Sequence, residues 1–175
     1  MPIDTSIDFV AFKIAVITIS DSRTLTNDTS GDLLEERIIE AGHHMVKRTI
    51  IPDDVSHIKK TLQIMSKEKE IDCIITTGGT GLTGRDSTPE AIIEMADKII
   101  DGFGELFRQL SYEKIGTSTI QSRALAGVIN NTYIFSLPGS PGACKDGWDL
   151  ILKYQLDIRH KPCNFIEIMP RLKEK

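Results

Sequence analysis

Thr76-Thr77-Gly78-Gly79-Thr80-Gly81-Leu82-Thr83-Gly84-Arg85-Asp86-Ser87-Thr88-Pro89-Glu90 follows directly on the apolar stretch Ile71-Asp72-Cys73-Ile74-Ile75. A β-branched run that ends in glycines and passes into Thr-Pro-Glu reads as a strand, a tight loop and the first turn of a helix. Glycines at such a junction leave backbone N–H groups converging with no side chain in the way, which is how an anion is cradled. Around them Thr76, Thr77 and Thr80 offer hydroxyls, Arg85 a planar cationic fork and Asp86 a carboxylate able to hold a divalent cation. The run lacks the Lys-Ser/Thr pair of a P-loop and the spacing of the dinucleotide fingerprint, so it reads as a phosphate loop of another kind.

Outward from this junction the chain repeats the same alternation. Lys13 to Ser20 is a β-branched run and a largely buried strand. A helix follows, with Thr29 or Ser30 as its cap, Leu34, Ile38 and Ala41 on one face, and Gly42 as its stop. A second strand covers about 45–51 and ends at Pro52, after which Val55, Ile58, Leu62 and Met65 fall at helical spacing. The third strand is 71–77, and Ile92, Met95 and Ile99 mark the helix beyond the glycine loop. Such βαβ units imply a parallel sheet with right-handed crossovers and helices on both faces.

Phe103, Leu106, Phe107 and Leu110 form an i, i+3, i+4, i+7 stripe after Gly102, read as core or subunit contact rather than as a ligand-binding face. Residues 126–137 read as a β-hairpin turning at Asn130-Asn131. Its return strand runs into a second glycine loop, Pro138-Gly139-Ser140-Pro141-Gly142, where Ser140 and Pro141 also suit a plain helix start along Cys144, Trp148 and Ile151. In an open parallel sheet ligands bind beyond the carboxyl ends of the strands. That edge collects Ser20-Asp21-Ser22-Arg23, Asp53, the glycine loop with Asp86, and Pro138 to Gly142.

With 175 residues the chain is sized for one domain with a real core, here 13–168, with an N-terminal extension at 1–12 and a C-terminal tail at 169–175; the first ten residues and 171–175 read as peripheral or disordered. A net charge of −4, with basic residues scattered, argues against a nucleic-acid partner. Met1 to Phe12 has neither a positive n-region nor a long apolar core, so a cytoplasmic protein without signal peptide or membrane span is expected. Cys73, Cys144 and Cys163 form no Cys-x-x-Cys pair and are read as reduced, Cys73 in the core. His43 and His44, adjacent on a strand, point to opposite faces and cannot chelate together.

Taken together, Thr-Thr-Gly-Gly-Thr-Gly, Arg-Asp-Ser-Thr-Pro-Glu-Ala and the downstream Leu-Pro-Gly-Ser-Pro resemble the MoaB/MogA family of molybdenum cofactor biosynthesis proteins. The similarity runs from Ile14 to Phe165, and segments such as 28–31, 116–123 and 159–165 are similar to the B branch. The resemblance implies a three-layer α/β/α molybdopterin-binding fold with a mostly parallel central sheet and a β-hairpin. It also implies a homotrimer or homohexamer, and a molybdenum-insertion enzyme as a further partner. In its adenylyltransferase members the terminal phosphate of molybdopterin attacks the α-phosphate of Mg-ATP, giving adenylyl-molybdopterin and pyrophosphate. The family's acidic residues fall on Asp86 and on Asp53, with Asp54 as the register alternative, and these would be both catalytic and Mg²⁺-binding.

Phosphate and pterin contacts are then expected from Thr76, Thr77, Gly78, Gly79, Thr80, Gly81 and Arg85, with Ser20, Asp21, Thr29, Ser30, Pro138, Gly139 and Ser140 around them. Other duties stay open for the carboxylates: Asp86 paired with Arg85 or capping the next helix, Asp53 or Asp54 capping theirs. Carboxylates beside a polyphosphate are unfavourable unless a cation neutralises them, which favours an enzyme. The alternatives are a non-catalytic pterin-binding or carrier protein of the same pathway, and a nucleotide-binding regulator.

Overall fold

Seven consecutive residues of the first strand, β1 (Lys13–Ile19), are all but one buried, because helices cover both faces of the sheet to which it is central. The computed structural model describes residues 3–174; Met1, Pro2 and Lys175, parts of the expected extension and tail, lie outside the described residues. After β1 come α1 (Thr29–Glu40), β2 (His44–Ile51), α2 (Val55–Met65), β3 (Cys73–Thr77), α3 (Thr88–Met95), β4 (Lys98–Ile99) and α4 (Asp101–Ile115). A 3-10 turn at Gly116–Gln121 leads to β5 (Leu125–Ile129), β6 (Thr132–Leu137) and α5 (Pro141–Gly147). A π-helical turn, Trp148–Leu152, carries α5 into α6 (Lys153–Gln155), and α7 (Phe165–Ile168) follows.

The six strands lie in the order β2-β1-β3-β6-β5-β4. β2, β1, β3 and β6 are mutually parallel, while β5 runs antiparallel to both β6 and β4. The mostly parallel sheet with a hairpin is therefore the architecture found. Asn130 and Asn131, at φ +50° and +66°, make the two-residue hairpin turn, which asks for left-handed residues at both positions. The helix expected through Ile99 ends at Met95, and Ile99 lies instead in β4, a strand of two residues too short for any periodicity to show.

Alternate residues of each strand feed two cores. Ile14, Val16, Cys73, Ile75, Phe135 and Leu137 pack against Leu34, Ile38, Phe103, Phe107 and Trp148 on one face. Ile17, Ile74 and Ile134 pack against Ile58, Leu62, Met65 and Ile92 on the other. The α4 stripe is thus divided: Phe103 and Phe107 are core, Leu110 half-buried, and only Leu106 is exposed, at 40%. Phe103 and Phe107 therefore serve the core.

Further expectations change: in the expected C-terminal tail Met169–Lys173 form a 3-10 turn, with Met169 and Leu172 packed on the core. The cap of α1 is Asp28, not Thr29 or Ser30: its Oδ1 accepts the Gly31 N–H at 3.0 Å. The N-terminal extension is tied to the body rather than peripheral, since Ile3 bridges to His160, Phe9 packs on the His43 ring and Phe12 is 2% exposed. The cysteines are free, Cys73 and Cys144 buried and Cys163 exposed. Among the described residues no helix is long and apolar enough to cross a membrane.

Candidate functional site

The carboxyl ends of β1, β3 and β6 meet at Gly78. Its N–H donates to the Leu137 carbonyl at 3.1 Å, and a Cβ there would lie 2.2 Å from the Ile19 carbonyl oxygen. Gly78 and Gly79 take φ +105° and +64°, values that a side chain strains, so the chain can turn sharply out of β3 only with glycine at both positions. Thr88, first residue of α3, staples the turn: its N–H donates to the Gly79 carbonyl at 3.0 Å and its hydroxyl to that of Gly78 at 3.1 Å.

Below this turn opens a cavity of about 710 Å³. Gly78, Gly79, Thr80, Gly81 and Asp86 form its roof, and Pro138, Gly139 and Ser140 one side. Phe107, Ser111, Lys114 and Ile115 of α4, with Gln121 and Ser122, complete the wall. Sequence reasoning missed this wall. Phe107 belongs to the stripe read as something other than a ligand face, and the core face of α4 turns out to serve as both core and cavity lining. Lys145 on α5 also lines the cavity and makes no ion pair among the described residues, whereas Lys114 is paired with Asp146.

The two carboxylates flank the glycine turn. A Cβ on Gly79 would sit 3.0 Å from each oxygen of Asp53, and one on Gly81 would sit 2.8 Å from Asp86 Oδ2. Asp54 is the N-cap of α2, accepting the His57 N–H at 3.0 Å, which leaves Asp53 as the neighbour turned toward the loop. Asp53 takes a hydrogen bond from the Ser87 hydroxyl at 3.3 Å. Burial pushes its carboxyl above the ordinary carboxylate value and the negative charges of Asp86 and Asp21 add to that, against the pull of Ser87. Asp86 behaves oppositely. The Thr83 hydroxyl at 2.6 Å holds it below the ordinary value, helped by the N–H groups of Thr83 and Gly81 and by the Arg123 charge. Asp86 therefore neither pairs with Arg85 nor caps α3; it closes its own loop.

The remaining candidates occupy three places. Ser20 and Asp21 line a second cavity of about 470 Å³ at the end of β1 and β2. Asp21 joins the loops, pairing with Arg85 and accepting the Asp53 N–H at 3.3 Å. Thr76 and Thr77 are fully buried in β3, and the Thr77 hydroxyl donates to the Pro138 carbonyl at 3.1 Å. Ser30 is buried behind the second glycine loop and donates to the Gly139 carbonyl at 2.8 Å, while Thr29 is exposed and lines neither cavity. No group of three or more His, Cys, Asp or Glu among the described residues is arranged to hold a metal unaided.

Fold and cavity define a class: an open α/β domain with a small-molecule cavity beyond the carboxyl ends of its parallel strands β3 and β6. Residues 15–158 match the family described as "Probable molybdopterin binding domain", and the chain belongs to that family. It is 45% identical over 160 residues to molybdenum cofactor biosynthesis protein B of Escherichia coli K12, covering 91% of this chain and 94% of that protein. The protein of the same name from Bacillus subtilis is 45% identical over 134 residues, 76% of this chain and 79% of the relative. A crystal structure of a molybdenum cofactor biosynthesis protein B superposes with a TM-score of 0.85 at 36% identity, over 95% of this chain and 98% of the other. That of the tungsten cofactor synthesizing protein MoaB from Pyrococcus furiosus gives 0.74 at 36% identity, over 94% and 98%.

Proposed function

We propose that this protein acts in molybdenum cofactor biosynthesis by adenylating molybdopterin: the terminal phosphate of the pterin attacks the α-phosphate of Mg-ATP, the bond to the β-phosphate breaks and pyrophosphate leaves. The observation that carries this reading is the placing of Asp53 and Asp86 on either side of the Gly79–Gly81 turn, Asp86 itself lining a cavity whose wall includes Phe107 and Ile115 and Asp53 lying just behind the turn. A heterocycle with apolar faces and polar edges suits a wall in which Phe107 and Ile115 stand among Ser111, Gln121 and Ser122, and its phosphate suits the N–H groups of the turn.

The residues present fit a magnesium ion. Burial raises the pKa of Asp53 and the charges of Asp86 and Asp21 add to that, a cost that a cation bound beside it would lessen. One or two carboxylates with substrate phosphates are the usual protein share of Mg²⁺ coordination, so a full protein ligand set is not required. Asp53 and Asp86 would hold it, and it would supply charge neutralisation between the attacked phosphate and the departing pyrophosphate. The protein's own contribution is then alignment, with Gly79 to Gly81 fixing the nucleophilic phosphate and Thr88 fixing the turn.

Purified protein incubated with molybdopterin and Mg-ATP should release pyrophosphate in step with adenylyl-molybdopterin. A second reading, a non-catalytic pterin carrier, is favoured by the internal bonds of Asp86 to Thr83, which give that carboxylate a structural duty already. Stoichiometric binding of molybdopterin without pyrophosphate release would establish the carrier and overturn the enzyme. A trimeric or hexameric assembly, cytoplasmic residence and delivery to a molybdenum-insertion enzyme belong to the same proposal, and light scattering reads the assembly directly.

A further inference from the structure

Arg123 stands between the 3-10 turn at Gly116–Gln121 and β5, and its side chain reaches across to the glycine loop. Nε donates to the Gly81 carbonyl at 2.7 Å and Nη2 to the Asp86 carbonyl at 2.8 Å. Nη1 pairs with Glu90 in the first turn of α3, and the Arg123 N–H donates to the Thr80 carbonyl at 3.3 Å. One residue therefore grips both ends of the loop and the helix that follows it.

Packing holds the base of this loop, where Thr80 is buried, but not its tip: Leu82 is 70% exposed, a Cβ on Gly84 would meet nothing within 4 Å, and the pair of Arg85 with Asp21 is exposed. The contacts between Thr83 and Asp86 are local and set the shape of the turn, not its place over the cavity. The elements that Arg123 joins are independently secured: β5 by its ladders to β4 and β6, α3 by the burial of Ala91 and Ile92. Arg123 also directly follows Gln121 and Ser122 of the cavity wall, so roof and wall meet through its guanidinium. A planar guanidinium presents several donors in a fixed fork, which an ammonium cannot reproduce.

We propose that Arg123 is a positioning residue for the adenylyl transfer, holding the Thr80–Gly81 turn and Asp86 at a fixed separation over the cavity; this rests on the reading of the site given above. It touches no reacting atom and acts through the loop.

Arg123→Lys, with Glu90→Gln as companion, tests it by pyrophosphate release, thermal melting and amide hydrogen exchange. In a folded Arg123→Lys protein, exchange across residues 80–86 should rise about tenfold or more while β5 and β6 keep wild-type protection. The kcat should fall about a hundredfold with KM for the pterin little changed, the scale expected when reacting groups lose alignment by about 1 Å. Glu90→Gln keeps both bonds to the loop carbonyls and should hold kcat within about threefold, since only an exposed ion pair is lost. Wild-type loop exchange in Arg123→Lys overturns the clamp, and faster exchange with wild-type kcat overturns the positioning role. If Arg123→Lys does not fold, the surrounding elements depend on it and the proposal falls. Absence of pyrophosphate release from the wild-type protein overturns the adenylylation reading and this one with it, whereas wild-type turnover beside an unaffected variant removes only this one.

Discussion

Asp53 and Asp54 are neighbours of one residue type, and their surroundings give them different work. Asp54 is exposed and spent on the N-terminus of α2, while Asp53 is half-buried and faces the glycine turn. The sequence leaves the pair ambiguous because either residue can cap a helix, and the choice rests on where β2 ends. Asp86 was legible from its place in the loop, but not its bonds to Thr83, which depend on a turn with no periodic signature. Arg85 read as a phosphate fork, and the structure turns it outward to Asp21; Arg123, hidden at the start of a strand, is the arginine that holds the loop. These facts sharpen one substitution. Asp86→Asn keeps an oxygen able to accept from the Thr83 N–H and hydroxyl, so the turn should survive, while the charge that would hold Mg²⁺ disappears. Pyrophosphate release should fall on the order of 10²-fold or more, the usual cost of deleting one electrostatic group from a transition-state site. A melting temperature near wild type should accompany it. Near-normal release from the folded variant would assign Asp86 to loop structure alone.

Among the elements, strands β1, β3 and β6 and helices α1 and α2 follow from apolar runs and helical spacing, because sheet and helix each bury a face that the sequence must supply. What the pattern could not supply was the cap of α1. Asp28, Thr29 and Ser30 are all good capping types, and the selection comes from distant partners: Asp28 Oδ2 accepts from the Thr18 hydroxyl of β1 at 2.7 Å and from Arg48 of β2 at 3.0 Å. Asp28 is 1% exposed, so α1 is bound to two strands through one buried carboxylate. Burial alone pushes its pKa up, but the bonds from Thr18, Gly31 and Arg48 outweigh burial and leave it below the ordinary value of 3.8. The sign follows directly: this group stabilises the fold above pH 3.8 and loses its contribution as the pH falls through its lower native pKa. Asp28→Ala leaves Arg48 buried with a partner missing and removes the cap, and should cost about 3–5 kcal/mol in urea unfolding. A loss below about 1 kcal/mol would mean that Asp32 and Glu35, which also pair with Arg48, carry the junction without it.

At the scale of the whole molecule, the layering and the edge carrying the site were legible because βαβ units and glycine loops repeat along the chain. The cavity was not, since its wall comes from α4 and the turn after it, some distance along the chain from the loop that roofs it. A second property visible only in three dimensions is the joint between the N-terminal segment and the body, built around His43. This imidazole is 5% exposed, its Nδ1 accepts the Phe12 N–H at 3.1 Å, and the rings of Phe9, Phe12 and Trp148 surround it. Burial pushes its pKa down to about 4; the Asp157 carboxylate opposes the shift and His44 adds to it. Asp157 is itself held by Arg159, whose guanidinium lies over the Phe9 ring at 5.0 Å. A depressed histidine acts in the sense opposite to one that gains an acidic partner. Between about pH 6.5 and 4 the unfolded chain binds the proton and the native chain does not, so stability falls with acid through that window and levels off below it. The slope is at most about 1.4 kcal/mol per pH unit, and the full loss approaches about 3 kcal/mol. Asp28 and Asp157 titrate below this range, and Asp53, with its raised value, works in the other direction. His43→Gln keeps an acceptor for the Phe12 N–H and removes the titration. Urea unfolding at pH 7, 6 and 5 should give the variant a clearly shallower loss of stability than the wild-type protein, whatever its stability at pH 7. Parallel curves would place the acid sensitivity elsewhere and leave the buried imidazole as a packing element only.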